Sequence, residues 1–411
     1  MFRLNQLSRV AALGAVFALA ACSSDKDLLG PSTPPGGDIF KSYVALGNSI
    51  TAGYQSSGIN DSTQQQSFAH LLAMQMGTQY HYASLAKPGC PPPIANTATG
   101  ARVGGGSSTT CALRTPSSIT DILNNVAVPG ARVLDPISGS TVASNALTTF
   151  VLGGMTQVQR ALQAHPTFAT IWIGNNDVLE AGASGILVPV PGISPGIVST
   201  EAQFEASYNT MIQQLTAGAP GIKGVLIGVV QVAGIPLLQQ GAIVFANQAA
   251  VAQVFLQATG KAVTVDPNCN GSASLVSLPQ LIPVIRAGTH PPTISCAKGS
   301  DPTNPLVGDL FVLDATEQQT LGATIAGYNA YIKSKADAIG FAYYDPNPLL
   351  AAKKASGDIP AFPNFASTNA TFGSFISLDG VHPAAAAHKV LANELIGVIN
   401  AKYETSLQPV P

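Results

Sequence analysis

Charge is scarce in this sequence. Asp, Glu, Lys and Arg make up only 10% of its 411 residues, well under the usual quarter. Lys and Arg total 19 against 21 Asp and Glu, a net charge of −2. With no basic excess to neutralise a phosphate backbone, a nucleic-acid partner is not expected. Aromatics are thin as well, 6% with a single Trp, which leaves little for stacking against sugars. There is no Cys-x-x-Cys, and no His stands at ligand spacing from a Cys, so neither a metal nor a cofactor is expected. The glycine run "VGGGSS" lacks the Gly-Lys-Ser/Thr of a phosphate loop and reads as flexible chain. Beyond the N-terminus no apolar run is long enough to cross a bilayer without Gly, Pro or polar interruption.

What is abundant points to a large domain with long loops. Hydrophobic residues reach 46%, enough for a sizeable core, alongside 40 Gly and 30 Pro. The length allows one α/β domain with insertions, or two domains. The first residues, "MFRLNQLSRV", carry Arg3 and Arg9 and no acid, and an apolar run too short to span follows. Residues 1–21 therefore read as a secretory signal. The run closes in Leu19-Ala20-Ala21-Cys22, which resembles the bacterial lipobox, where cleavage precedes a Cys that receives lipid. Residues 22–38, rich in Pro, Gly and Ser, read as a tether. Ser23 after the Cys resembles the pattern sent to the outer membrane, so the expected location is the bacterial cell envelope, with the membrane reached through lipid on Cys22.

Of the five cysteines, Cys90, Cys111, Cys269 and Cys296 remain after Cys22. An even number in an exported chain suggests disulfides, and three pairings are open. Cys90–Cys111 with Cys269–Cys296 is favoured, because each pair brackets a local loop. Residues 86–118 and 238–310 read as irregular insertions into a domain spanning 39–403, with 404–411 as a tail. Between them, strand candidates at 43–47, 126–128, 168–173, 224–232 and 340–345 alternate with helical patterns. Those patterns fall at 67–76, 156–165, 201–218, from Asp314-Ala-Thr-Glu317 onward, and from Pro383 to about Ala401. Strands that are apolar on both faces and alternate with helices predict a parallel sheet between helical layers.

Chemistry in an open parallel sheet collects beyond the carboxyl ends of its strands. After 43–46 comes Gly47-Asn48-Ser49; after 126–128, Pro129-Gly130; after 169–173, Gly174-Asn175-Asn176-Asp177. Asp379-Gly380-Val381-His382-Pro383 precedes the last helix. These are the parts of an acyl-transfer site. A serine hydroxyl needs a base, which His382 supplies, and the imidazole needs a partner to fix its tautomer, which Asp379 supplies from three residues earlier. An oxyanion needs donors: the Asn176 amide, the Gly130 N–H and the Ser49 N–H qualify.

The blocks "ALGNSITAG", "NVAVPGA", "IGNND" and "DGVHP" resemble, in order, those of the SGNH or GDSL-type hydrolases. The resemblance implies a flavodoxin-like three-layer α/β/α sandwich. It also implies Ser49 as nucleophile with Asp379 and His382, and Ser49, Gly130 and Asn176 as the oxyanion hole. Asn48 stands where that family usually has Asp. The glycine block has a rival in "SLAKPGC", where Gly89 lies nearer Ser49 in sequence; Gly130 is preferred because 86–118 reads as inserted. No G-x-S-x-G elbow occurs, which argues against an α/β-hydrolase lipase.

The expected function is hydrolysis of carboxylic esters, lipase- or acylesterase-like, on a small-molecule or lipid ester. A carbohydrate O-acetyl esterase and a non-catalytic surface-binding lipoprotein are the alternatives. The apolar stretch 182–199 would line an acyl pocket, form a lid, or simply cover the core. His388 reads as a helix-surface residue.

Overall fold

The computed structural model describes residues 37–97, 99–114, 122–138, 145–297 and 310–411. The expected signal at 1–21, the expected lipidation at Cys22 and nearly all of the expected tether lie outside the described residues. A central sheet holds four parallel strands: β1 (Tyr43–Gly47), β2 (Phe168–Trp172), β3 (Lys223–Ile227) and β4 (Ala342–Tyr344), in the order β1-β2-β3-β4. Tyr43 pairs with Phe168, Thr170 with Val225, and Leu226 with Tyr343.

Continuous apolar strands require cover on both faces, and alternate residues divide between two layers as the period of two demands. Val44, Leu46, Ala169, Ile171 and Leu226 face one cluster, whose helices are α2 (Gln157–Leu162), α3 (Glu201–Gly218) and α4 (Ala315–Ile339). Tyr43, Ala45, Phe168, Trp172, Val225 and Ile227 face the other, covered by α1 (Phe68–Met76) and α5 (Ala385–Tyr403). The result is the expected three-layer α/β/α sandwich. Each fully buried Val, Leu, Ile or Phe among them contributes about 1.5–3 kcal/mol.

Segment 124–128 extends the sheet beyond β1 without forming a regular strand. Ala45 N–H donates to the Asn124 carbonyl (2.8 Å), Val126 N–H to Ala45 (3.0 Å) and Val128 N–H to Gly47 (3.2 Å). Counted second, it gives the flavodoxin-like order 2-1-3-4-5, whose switch point flanks β1.

Helix ends follow local chemistry. Asp314 accepts from Glu317 N–H at 2.8 Å while Glu317 accepts from Asp314 N–H at 3.0 Å, the capping box that starts α4. The face expected of that helix, Leu321, Ile325, Tyr328 and Ile332, is fully buried. The last helix begins at Ala385 rather than Pro383. The tail folds back on it: Leu407 N–H donates to Asn400 Oδ1 and Val410 N–H to Asn393 Oδ1.

Both favoured disulfides are present, Cys90–Cys111 and Cys269–Cys296. The first insertion is largely loop. The second is not irregular: Leu238–Gln240, Leu275–Ser277 and Val312–Leu313 form an antiparallel sheet. Helices Gln248–Thr259 and Leu278–Ala287 pack beside it around a core of their own that includes Val251, Phe255, Leu281 and Ile285. His388 is also a correction. It is fully buried, not on the helix surface, because it lies on the same face of α5 as Leu391 and Leu395. Among the described residues no helix is long and apolar enough to cross a membrane.

Candidate active site

β1 ends at Gly47 with φ +156°, where a Cβ would stand 2.5 Å from Thr51 Oγ1 and 2.6 Å from the Trp172 carbonyl. Only glycine fits there, so the chain can turn off the sheet at once. Buried Gln157 holds both polar groups of that residue: Gly47 N–H donates to its Oε1 (2.9 Å) and its Nε2 donates to the Gly47 carbonyl (3.0 Å). A short helix, Ser49–Ala52, follows. Its cap is Asn48, whose Oδ1 accepts from Ile50 N–H at 3.1 Å. Ser49 is thereby relieved of capping and its hydroxyl is free for another partner.

That partner is His382. Ser49 Oγ lies 2.9 Å from His382 Nε2, and His382 Nδ1 lies 2.8 Å from Asp379 Oδ2. Placing the proton on Nδ1, where the carboxylate accepts it, leaves Nε2 to accept from the serine hydroxyl. Asp379 is held by further donors: the N–H groups of Val381 and His382 at 2.9 Å to Oδ1, and Ser57 N–H at 2.7 Å to Oδ2. Burial alone would raise its carboxyl, but the facing imidazolium charge and these hydrogen bonds outweigh that and hold it well below the usual carboxylate range.

The support for Asp379 comes from a turn that the sequence did not reveal. Ser56 and Ser57 adopt φ of 54° and 53°, a conformation costing of order 1 kcal/mol each. Ser56 N–H donates to Ser377 Oγ (2.8 Å), Leu378 N–H donates to Ser56 Oγ (3.1 Å), and Ser377 Oγ donates to Asp379 (3.1 Å). Arg102, from the first insertion, donates to the Ser57 carbonyl at 2.7 Å. Serines beside a glycine read as ordinary turn residues, and nothing along the chain links positions 56 and 377. Tyr54 packs on the His382 ring, centroids 4.9 Å apart. Burial, then the Asp379 charge, pushes its hydroxyl up to about 12.

The donors gather on the same side. Gly130, exposed at φ +86°, and Asn176 line one cleft with Ser49 and His382. The backbone N–H groups of Gly130 and Ser49 have no partner among the described residues. Asn176 Nδ2 donates to the Ala131 carbonyl at 2.9 Å, which fixes the amide and leaves its second N–H unused. Asp177 joins the two loops: it accepts from Val133 N–H (2.9 Å) and from the Ser199 hydroxyl (2.6 Å). Burial, only partly offset by those bonds, raises its carboxyl to about 6. The rival Gly89 is buried, with its Cβ position 2.5 Å from the Ile59 carbonyl, and is not among the cleft's lining residues. Residues 182–199 do not line the cleft either; the lining from that region stops at Leu179. Among the described residues no cluster of His, Cys, Asp or Glu gathers to hold a metal.

A serine, an imidazole and a carboxylate in one hydrogen-bonded row at the carboxyl edge of a parallel sheet are the equipment of a serine-dependent hydrolase. The chain belongs to the GDSL-like lipase/acylhydrolase family, whose model matches residues 43–395. That membership supports ester hydrolysis as its activity. Among solved structures, the extracellular lipase of Streptomyces rimosus is similar at 15% identity and a TM-score of 0.39, with 87% of this chain and 99% of that chain covered. A second structure reaches 14% identity and a TM-score of 0.34, covering 88% of this chain and 98% of its own. No curated protein matches.

Proposed function

We propose that the protein hydrolyses carboxylic esters through an acyl-enzyme on Ser49. The observation that carries this reading is the row Ser49 Oγ, His382 Nε2, His382 Nδ1, Asp379 Oδ2, with contacts of 2.9 and 2.8 Å. His382 takes the serine proton as Oγ attacks the carbonyl carbon and returns it to the leaving alcohol. Asp379, kept ionised, holds the ring and stabilises its charged form. The N–H groups of Ser49 and Gly130 and the free N–H of Asn176 face the developing oxyanion. Water then releases the acid by the same steps in reverse.

The test is Ser49→Ala. Turnover of p-nitrophenyl acetate falls by at least about 10⁴-fold, and covalent labelling by a fluorophosphonate disappears, with the wild-type label mapping to the Ser49 peptide. Retained turnover in that variant overturns the assignment. Absence of both turnover and labelling in the wild type leaves a binding protein instead.

We further propose that the mature chain is tethered to the bacterial envelope, at the outer membrane, by lipid on Cys22. The apolar run that stops at Leu19-Ala20-Ala21-Cys22 supports this. Cys22→Ala is expected to move the protein from the membrane fraction to the soluble one; equal partition of both forms overturns it.

A further inference from the structure

We propose that Arg102 is a positioning residue for the reaction: from the first insertion it holds the Ser56–Ser57 turn against Asp379, and so limits how readily that carboxylate draws a proton onto His382. This rests on the hydrolase reading above and adds a control exerted from outside the cleft. Arg102 does not line the cleft around Ser49, so it acts through the turn and through its charge.

The turn is gripped from two sides. Gln55 N–H donates to the Gly58 carbonyl (2.8 Å) and Gly58 N–H to the Gln55 carbonyl (3.1 Å), which closes a two-residue turn over Ser56 and Ser57. Positive φ at both central residues is the type I′ pattern, where Asn-Gly is the usual choice. Two serines hold it because of what they touch, not by local preference. In front, Ser56 N–H donates to Ser377 Oγ and Ser57 N–H to Asp379 Oδ2. Behind, both carbonyls accept from the first insertion: Ser56 from Ile94 N–H at 2.8 Å, Ser57 from Arg102 Nη1 at 2.7 Å. The same Nη1 donates to the Pro92 carbonyl at 2.6 Å, so one guanidinium ties the turn to the chain at its back.

A single peptide group therefore joins the insertion to the triad. The Ser56 carbonyl and the Ser57 N–H belong to it: Ile94 N–H polarises its oxygen while its own N–H donates to Asp379. Hydrogen bonds in such a chain strengthen one another. A carboxylate that shares its charge with a strong donor offers less of it to the facing imidazole. Arg102 works in the same sense by charge. Among the described residues no carboxylate pairs with it, and its charge reaches the Tyr54 hydroxyl, where it opposes that of Asp379. The other titratable groups around the pair are uncharged at neutral pH: Tyr54, packed on the His382 ring, below about 12, and His388, from α5, above about 3.

The test is read on the full mature chain with p-nitrophenyl acetate. In Arg102→Ala, kcat falls about fivefold, KM stays within about twofold, and the acid limb of kcat/KM moves up by at least about half a pH unit. The limb rises because the less shared carboxylate and the lost cation both favour the charged imidazole. Arg102→Lys, which keeps the charge, returns the limb to within about 0.2 pH unit of wild type. Ser377→Ala removes the turn's partner in front and one donor to Asp379, and shifts the limb upward as well. Arg114→Ala, in the same insertion but paired with Asp61 at 3.5 Å, keeps the wild-type rate and limb. Fluorophosphonate labelling of Ser49 reports an intact site in each variant. An unmoved limb in Arg102→Ala, whether the rate falls or holds, overturns the proposal, and so does an equal shift in Arg114→Ala. Should Arg102→Ala fail to label, an unmoved limb in Ser377→Ala overturns it instead. A wild type that neither turns over nor labels sinks the hydrolase reading itself, a distinguishable result.

Discussion

The two cysteine-bearing insertions are built from similar residues and solve the same problem differently. The described part of the first, residues 86–97 and 99–114, buries little of its own. It hangs on Cys90–Cys111, on Arg102 donating to the Ser57 and Pro92 carbonyls, and on a cluster in which Cys90 packs with Ile59, Leu85, Ala127 and Leu147 of the main domain. The second, with Cys269–Cys296, packs Val244, Val251, Phe255, Leu281 and Ile285 into an independent core. A segment without a core needs cross-links and borrowed surface to stay ordered. The same dependence puts the first insertion against the cleft, where Ser108, Thr109, Thr110 and Cys111 form a wall. The self-supporting insertion instead borders a separate cavity of about 250 Å³, with Leu238, Gln239 and Leu275 on one side and Lys354 and Pro360 on the other. In this molecule, the insertion with the weaker interior is the one that borders the site.

The sharpest way to break that contrast is Phe255→Ala. Truncating a fully buried Phe costs about 3–5 kcal/mol, here borne by the second insertion. Urea unfolding followed by Trp172 and by hydrogen exchange is expected to show the insertion opening first, with p-nitrophenyl acetate turnover within about twofold of wild type. A parallel collapse of turnover would erase the distinction. Next in size are the paired Cys→Ser variants. Losing Cys90–Cys111 lowers kcat/KM on p-nitrophenyl acetate about tenfold, while losing Cys269–Cys296 changes it less than about threefold and appears as a lower Tm, since removing a disulfide costs about 2–4 kcal/mol. The reverse pattern would exchange their roles.

The smallest effect separates the shared frame from both insertions. His388 accepts from Phe68 N–H at 3.2 Å, and its Nε2 is buried without a partner among the described residues. Burial, then the nearby His382 charge, pushes its pKa down to about 3. A depressed histidine is neutral in the folded chain but takes up a proton when unfolded. Its burial is therefore without penalty above the unfolded value near 6.5, and stability falls as pH drops from there toward 3, by up to about 1.4 kcal/mol per pH unit. Denaturant titrations from pH 7 to 4 are expected to show this slope and its loss in His388→Gln, with neither insertion affected selectively.

Strands covered on both faces leave uninterrupted apolar runs, which is why β1, β2 and β3 could be read in the sequence. The residues now facing the cleft were legible because each of Ser49, Gly130 and Asn176 directly follows such a run. The second insertion was obscured by strands of two or three residues and by Pro279 and Pro283 within a helix, although Leu278, Leu281 and Ile285 already stood at helical spacing. His388 was misread because small alanines surround it, and alanine marks neither face of a helix. Ser56 and Ser57 could not be found at all, since their links to Ser377 and Asp379 exist only across 321 and 322 residues of chain.

Gln157 has a lesson for transplantation. One primary amide takes the Gly47 N–H and shares the Gly47 carbonyl with Val128 N–H, so the backbone departs there with no dangling polar atoms. Anyone grafting the short signature segments into a new scaffold would have to bring this unmarked glutamine along, or the nucleophile's pedestal would wobble although every hallmark residue had been copied.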